Sequence, residues 1–189
     1  MYIPDCDKIK KGSTPISKVY QGNRVVWQET YTKVYYKSND GNIITFSYGM
    51  SPFYGTEIVD NVYEGDRGYW LLSGDIGSCD VRLRENINSR NDFIWIDLSL
   101  VKGVIGEGAF ALSSTMSAVT IGTGVTYFED ECFYNCRNLT EFNYLGTIEQ
   151  YGQIRKIWDW STGLGAQVAH CTDGDCDINY GNYTPPPDE

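Results

Sequence analysis

Apolar and polar residues along this chain follow two different rhythms. In the first third, short apolar runs alternate with turn residues. Ile16, Val19 and Tyr20 precede a turn at Gln21 to Asn23, and Val25 to Trp27 follow, which predicts two short strands. Val34, Tyr35 and Tyr36 lead to Asn39-Asp40-Gly41, whose Asp-Gly suits a tight turn, and Ile43, Ile44 and Phe46 are expected to return as a second hairpin. Ser51 to Tyr69, rich in Gly, Tyr and Asp, predicts only loops and a short strand. Further on, three segments align at a period of 23 residues: Phe93-x-x-Ile96-x-Leu98, Met116-x-x-Val119-x-Ile121 and Leu139-x-x-Phe142-x-Tyr144. Other columns keep the same interval, Ile87 with Phe110 and Phe133, Ile105 with Phe128, Ala109 with Cys132, and Ser113 with Cys136.

The L-x-x-L-x-L spacing is that of a leucine-rich repeat. Each unit carries a short strand whose apolar residues one unit alone cannot bury, and stacking of neighbours closes the interior. Tyr69 to Leu72 lies one period before Phe93 and is expected to add a first, irregular strand. After Tyr144, Thr147 and Gln150 have capping-box spacing, and Ile148, Tyr151, Ile154, Ile157 and Trp158 fall near one helical face, predicting a helix that reaches towards Trp160. Val168 to Cys171 reads as a strand, and Tyr183 to Glu189, with three consecutive Pro, as an extended tail.

The expectation is a mainly β fold: a short solenoid of about three turns with N-terminal β-hairpins and a C-terminal capping helix. The chain divides into a hairpin attachment module (1–37), a β lead-in (38–68), the solenoid (69–145), a cap (146–178) and a Pro-rich tail (179–189). A hairpin as short as that at 16–27 is marginal alone, so Ile16, Val19, Tyr20, Val26 and Trp27 become candidate attachment residues.

Charge sharpens this division. The net charge is -10, yet residues 1–37 carry seven Lys/Arg against three Asp/Glu, leaving -14 for the remainder. An acidic body argues against nucleic-acid binding, which needs clustered cations, and the basic start suits docking on an acidic protein neighbour. Met1 to Lys11 lacks an apolar stretch of signal-peptide length, and no run is long enough to span a bilayer, so the six Cys are expected to be reduced thiols and the chain not to insert in membranes.

Candidate chemistry is sparse. His170, Cys171 and Cys176 match no common zinc spacing. Asp173, Asp175 and Asp177 alternate as in a calcium loop, but Ile178 stands where Gly is needed and Thr184 where Glu is needed. Glu129-Asp130-Glu131 is a run of adjacent acids, whereas glycoside hydrolysis needs two carboxyls facing each other roughly 5–10 Å apart. Cys132 and Cys136 fall on repeat columns. No cofactor, metal or catalytic set is expected. Trp95 alternates with Ile96, should face away from the repeat interior, and is the candidate surface contact.

Ile105-Gly-Glu-Gly-Ala-Phe110 with Val119-Thr-Ile121 and Gly124-Val125-Thr126, and Phe133-Tyr-Asn-Cys136-Arg-Asn-Leu139-Thr, resemble the BspA-like leucine-rich repeats. The lead-in from Pro52 to Ile76 and the segment from Gly146 to Gly174 are similar to elements flanking such repeats. The unit near Ser78 to Leu98 lacks the Ala-Phe and Cys positions, Ser113 replaces the usual Cys, and Cys132 the usual Ala. Ile16 to Gly22 with Val26-Trp27 is similar to short segments of virion proteins from phages of gut Bacteroidetes. Together the resemblances imply a non-enzymatic structural or binding protein of a phage particle, such as a fibre, tail-associated or capsid-decorating component. Its partners would be other virion proteins, a host surface glycan or protein, and other copies of itself. The alternative they imply is a BspA-like adhesin at the bacterial surface, and a glycan-acting hydrolase ranks below both.

Overall fold

Strands form where the period-two pattern places them, but most pair with partners far along the chain. The computed structural model describes residues 31–45, 53, 56–73 and 93–182, and the backbone of short strands between 10 and 28. There β1 (Lys10–Lys11) pairs antiparallel with β2 (Thr14–Pro15), and β3 (Lys18–Gln21) with β4 (Arg24–Gln28). Val19 and Tyr20 lie on β3, and Val26 and Trp27 on β4, whereas Ile16 lies outside the described residues.

The expected hairpin across residues 34–46 is replaced by a longer-range pairing. β5 (Tyr31–Ser38) is joined antiparallel to β7 (Arg67–Ser73) on one edge and to β8 (Phe93–Leu98) on the other. Both edges being taken, the returning segment finds no ladder. Ile44 satisfies its backbone through side chains instead: its N–H donates to Tyr36 Oη at 3.2 Å, and its carbonyl accepts from Trp70 Nε1 at 3.1 Å and Asn61 Nδ2 at 2.9 Å. Phe46 lies outside the described residues. The boundary drawn at residue 37 falls within β5.

The true hairpin of this region joins β6 (Glu57–Glu64) to β7 through Gly65-Asp66, with Gly65 at φ +65°. Gly68, next along β7, is required by close approach, because a Cβ there would meet the Tyr36 ring at 2.5 Å. The segment Tyr69 to Leu72 is a strand of the main sheet, but β5 separates it from β8.

The 23-residue period becomes a solenoid of about three turns. β8, β10 (Ala118–Ile121) and β12 (Glu141–Tyr144) run parallel in strict register, with Ile96, Val119 and Phe142 aligned, as are Leu98, Ile121 and Tyr144. β14 (Val168–Cys171) continues the ladder and β15 (Gly174–Asp177) closes it antiparallel, giving the order β15-β14-β12-β10-β8-β5-β7-β6. A second sheet lines up β9 (Gly103–Ile105), β11 (Val125–Phe128) and β13 (Arg155–Lys156). Turns at 107–112, 130–135 and 158–163 form the third side of each coil, linked by bonds such as Phe110 N–H to Cys132 O and Phe133 N–H to Trp160 O. These turns repeat left-handed backbone at Gly108 and Glu131, and again at Leu112, Asn135 and Gly163.

The repeat columns fill the interior: Phe93, Ile96, Leu98, Ile105, Phe110, Met116, Val119, Ile121, Phe128, Phe133, Leu139, Phe142 and Tyr144 are all buried, and Ile87 lies outside the described residues. Their rings join a spine that begins in the antiparallel strands. Tyr36 stacks on Trp70 at 4.4 Å, Trp70 meets Phe93 edge-on, Phe93 meets Phe110, Phe110 stacks on Phe133 at 5.1 Å, and Phe133 meets Trp160.

A small helix, α1 (Ile148–Gln153), caps the far end, with the full capping box: Gln150 N–H donates to Thr147 Oγ1 and Thr147 N–H to Gln150 Oε1. It stops well short of Trp160, because Ile154 turns extended and Arg155–Lys156 is taken into the second sheet by β11. Ile154 and Trp160 are buried nonetheless, while Trp158 is exposed. The helix also explains a break in the period. Val104 pairs with Tyr127 at an interval of 23, but Tyr127 pairs with Arg155 at 28, so the coil holding α1 is longer by five residues.

Candidate binding face on the eight-stranded sheet

Alternation along each strand sends one set of side chains into the spine and the other to the outer face of the sheet. On β5 the inward set is Val34, Tyr36 and Ser38, which leaves Tyr31, Lys33, Tyr35 and Lys37 outside. On β7 the outward set is Tyr69, Leu71 and Ser73, and on β8 it is Trp95 and Asp97. Ala118 and Thr120, then Glu141 and Asn143, continue the face over the repeats, and His170 ends it.

The face is graded. Its β7–β5–β8 portion is aromatic and carries Lys33, Lys37 and Arg67 together with Asp97. On the adjoining β6 the register sets Glu64 across from Arg67 and Asp60 across from Leu71 on the same side. Tyr35 and Tyr69 are directly paired across strands and meet edge-on, with ring centres 5.9 Å apart. The Lys33 Nζ lies 3.9 Å above the Tyr69 ring, the Arg67 guanidinium 5.3 Å from the Tyr35 ring, and Lys37 is the cross-strand partner of Trp95. None of these three cations lies within ion-pair distance of a carboxylate among the described residues, although Glu64 is the cross-strand partner of Arg67. Trp95 is half-buried, joins none of the ring pairs, and its indole N–H meets no acceptor among the described residues. The β12–β15 portion is polar and acidic, with Glu141, Asn143 and the His170 Nδ1–Asp175 Oδ1 contact at 2.8 Å.

The other residues singled out from the sequence are dispersed. Alternation puts His170 on the outer face and Cys171 and Cys176 on the opposite one, against the core, with their sulfurs 4.0 Å apart. The alternating aspartates serve three separate partners: Asp173 accepts from Ile148 N–H at the start of α1, Asp175 contacts His170, and Asp177 accepts from Asn179 N–H. No group of three or more His, Cys, Asp or Glu placed to hold a metal occurs among the described residues. Glu129 accepts from Glu107 N–H across neighbouring coils at 2.9 Å. Asp130 is held above the usual carboxylate range by desolvation first, then by the negative charges of Asp159, Glu107, Glu129 and Glu131. Burial pushes the Cys132 thiol up, and that of Cys136 up to about 12, so neither is poised as a thiolate.

Two features escaped the sequence reading. Tyr35, Tyr69, Lys33 and Lys37 join Trp95 on one surface only because β5 lies beside β8, a pairing that no local pattern announces. Lys156 reads as a surface cation beside Arg155 but is fully buried, with its ammonium donating to the carbonyls of Tyr151, Ile154 and Tyr180 at 3.0–3.2 Å.

Residues 87–154 match the family described as BspA type leucine rich repeat region, in six copies. Comparison with curated proteins found no match, and comparison with solved structures found none. The coils that carry the outer face from β8 onward are leucine-rich repeats, similar to those of the BspA type.

Proposed function

We propose that this protein is a non-enzymatic binding module of adhesin type, which meets its partner through the outer face of the eight-stranded sheet. The observation that carries this reading is the aromatic cluster around Trp95, a half-buried indole on the outer face with neither ring partner nor hydrogen bond among the described residues. Aromatic side chains backed by a rigid sheet lose little freedom on binding, which is why they serve as anchors. The repeats supply that rigidity, since β5, β8, β10, β12 and β14 are each paired on both edges. The test is binding of the fluorescently labelled full chain to intact bacterial and epithelial cells. Trp95→Ala and Tyr35→Ala should lower bound signal several-fold with little change in melting temperature. Undiminished binding in both variants would move the contact off this face.

A second reading places the same module on a phage particle, with cell-surface display as its rival. It is favoured by β3 and β4, which pair with each other in a two-stranded sheet apart from the eight-stranded one and so suit an attachment device for another virion protein. Mass spectrometry of purified particles from a host carrying the gene separates the two. A fixed copy number per particle supports the virion role, and recovery in the cell-surface fraction with none in particles supports the adhesin.

A further inference from the structure

Whether the six Cys remain thiols turns on the compartment, but among the described residues the fold singles out one pair. Register on the closing hairpin sets Cys171 across from Gly174 and Cys176 across from Ala169. The two cysteines are therefore diagonal neighbours on one face of β14 and β15, with their sulfurs 4.0 Å apart. Gly174 has no side chain and Ala169 a small one, so neither cross-strand position holds a bulky group beside them. A disulfide needs about 2.05 Å, so each sulfur has to close by about 1 Å, which is the reach of small rotations about the two Cα–Cβ bonds. Both side chains are only partly buried, which admits a small reagent. Cys132 and Cys136 show the contrast. They are fully buried, and their thiols donate to opposite neighbours, Cys136 to the Phe110 carbonyl of the coil before and Cys132 to the Trp160 carbonyl of the coil after.

β15 is hydrogen-bonded to β14 alone, yet the contacts around it close the far end of the solenoid. Asp173, in its turn, accepts from the first N–H of α1. Just beyond β15, the Ile178 carbonyl accepts from Tyr151 Oη and Asn179 Oδ1 accepts from Trp160 Nε1. We propose that Cys171 and Cys176 are a modification site: they form a disulfide by exchange with a low-molecular-weight disulfide, and the bond latches this hairpin over the end of the solenoid. The Cys176 thiolate attacks one sulfur of the reagent and expels the other as a thiolate, leaving a mixed disulfide. The Cys171 thiolate then attacks Cys176 Sγ and expels the second. Two electrons pass to the reagent, which takes up the two protons that the cysteines release and leaves as two thiols. Burial raises both cysteine thiols, that of Cys171 up to about 12, but the Cys171 S–H and the Lys156 ammonium favour negative charge on Cys176, which makes it the first to attack.

The full chain, equilibrated with excess oxidised glutathione, quenched with acid, then unfolded and alkylated, tests this by mass spectrometry. Cys171 and Cys176 should escape alkylation as a pair lighter by two hydrogens, while Cys132 and Cys136 are labelled in full. The oxidised chain should melt roughly 4–8 °C above the reduced one, the gain expected of a short closed loop in a chain of this size. The double variant Cys171→Ser/Cys176→Ser should lose that gain. Full alkylation of both thiols, stable glutathione adducts in place of the pair, or a bond from either to Cys6 or Cys79 would overturn the pairing. A pair that forms without raising the melting temperature would overturn the latch.

Discussion

Lys156 sits wholly inside the C-terminal cap, with three carbonyls around its ammonium and the Tyr151 ring 4.2 Å away. Three donors meet three acceptors, so the charge is fully hydrogen-bonded, yet desolvation still brings its pKa down from 10.5 to about 8. Below pH 8 the folded and unfolded chains both hold the proton and the desolvation penalty is fully felt. Between about 8 and 10.5 the unfolded chain keeps a proton that the folded chain has released, so this group makes stability rise with pH. The buried thiols of Cys132 and Cys136 act oppositely. Their folded pKa values lie above 9.0, so the unfolded chain releases protons first and stability falls as pH climbs past that value. Subtracting a Lys156→Met variant, which keeps those thiols, isolates the lysine. Denaturant unfolding should show the wild type gaining on the variant as pH rises from 8 towards 10.5, and a flat difference would mean that the amine is solvated. Nothing local in Arg155-Lys156 reveals this burial. It follows from α1 and the segment around Tyr180 closing over the side chain, which are contacts up to 24 residues distant.

At the scale of elements, whatever depended on near neighbours was legible. The capping box at Thr147 and Gln150 is a three-residue pattern, and the structure forms both of its bonds. Six residues is too short a helix to stand alone, so its caps and the buried Tyr151 carry it. Thr147→Ala should lower stability by about 1 kcal/mol, read as a fall in denaturation midpoint at constant slope. No loss would show that Asp173, which accepts from Ile148 N–H, caps the helix unaided. The helix's end was not legible, because β11 decides it by drawing Arg155 and Lys156 into the second sheet. Gly65-Asp66 was legible in principle, a two-residue turn between two long strands, but the Gly- and Tyr-rich composition around it masked the alternation. The strand at residues 31–38 was visible and its partners were not. Alternation reports which face of a strand is buried and says nothing about which strand lies beside it, so half of the binding face stayed out of reach.

Across the whole molecule, the aromatic spine from Tyr36 to Trp160 makes the antiparallel strands and the solenoid share one core. A solenoid must close its first coil, whose strand edge and apolar face would otherwise be open to solvent and to other chains. Here β5 covers the free edge of β8, while Tyr36 and Trp70 cover Phe93. The far end is closed by α1, β15 and the Ile178 carbonyl that accepts from Tyr151 Oη. β1 to β4, by contrast, find their strand partners among themselves. Two truncations separate these roles. A chain starting at Tyr31 should melt in one transition within about 2 °C of the full protein, since it keeps the spine and every strand of the large sheet. A chain starting after Ser73 loses β5 to β7 and should aggregate or melt without a cooperative transition, because the β8 edge and Phe93 are laid bare. If the first truncation destabilised the protein as severely as the second, the N-terminal strands would belong to the body rather than to an attachment device. The virion reading would then lose the feature that favours it.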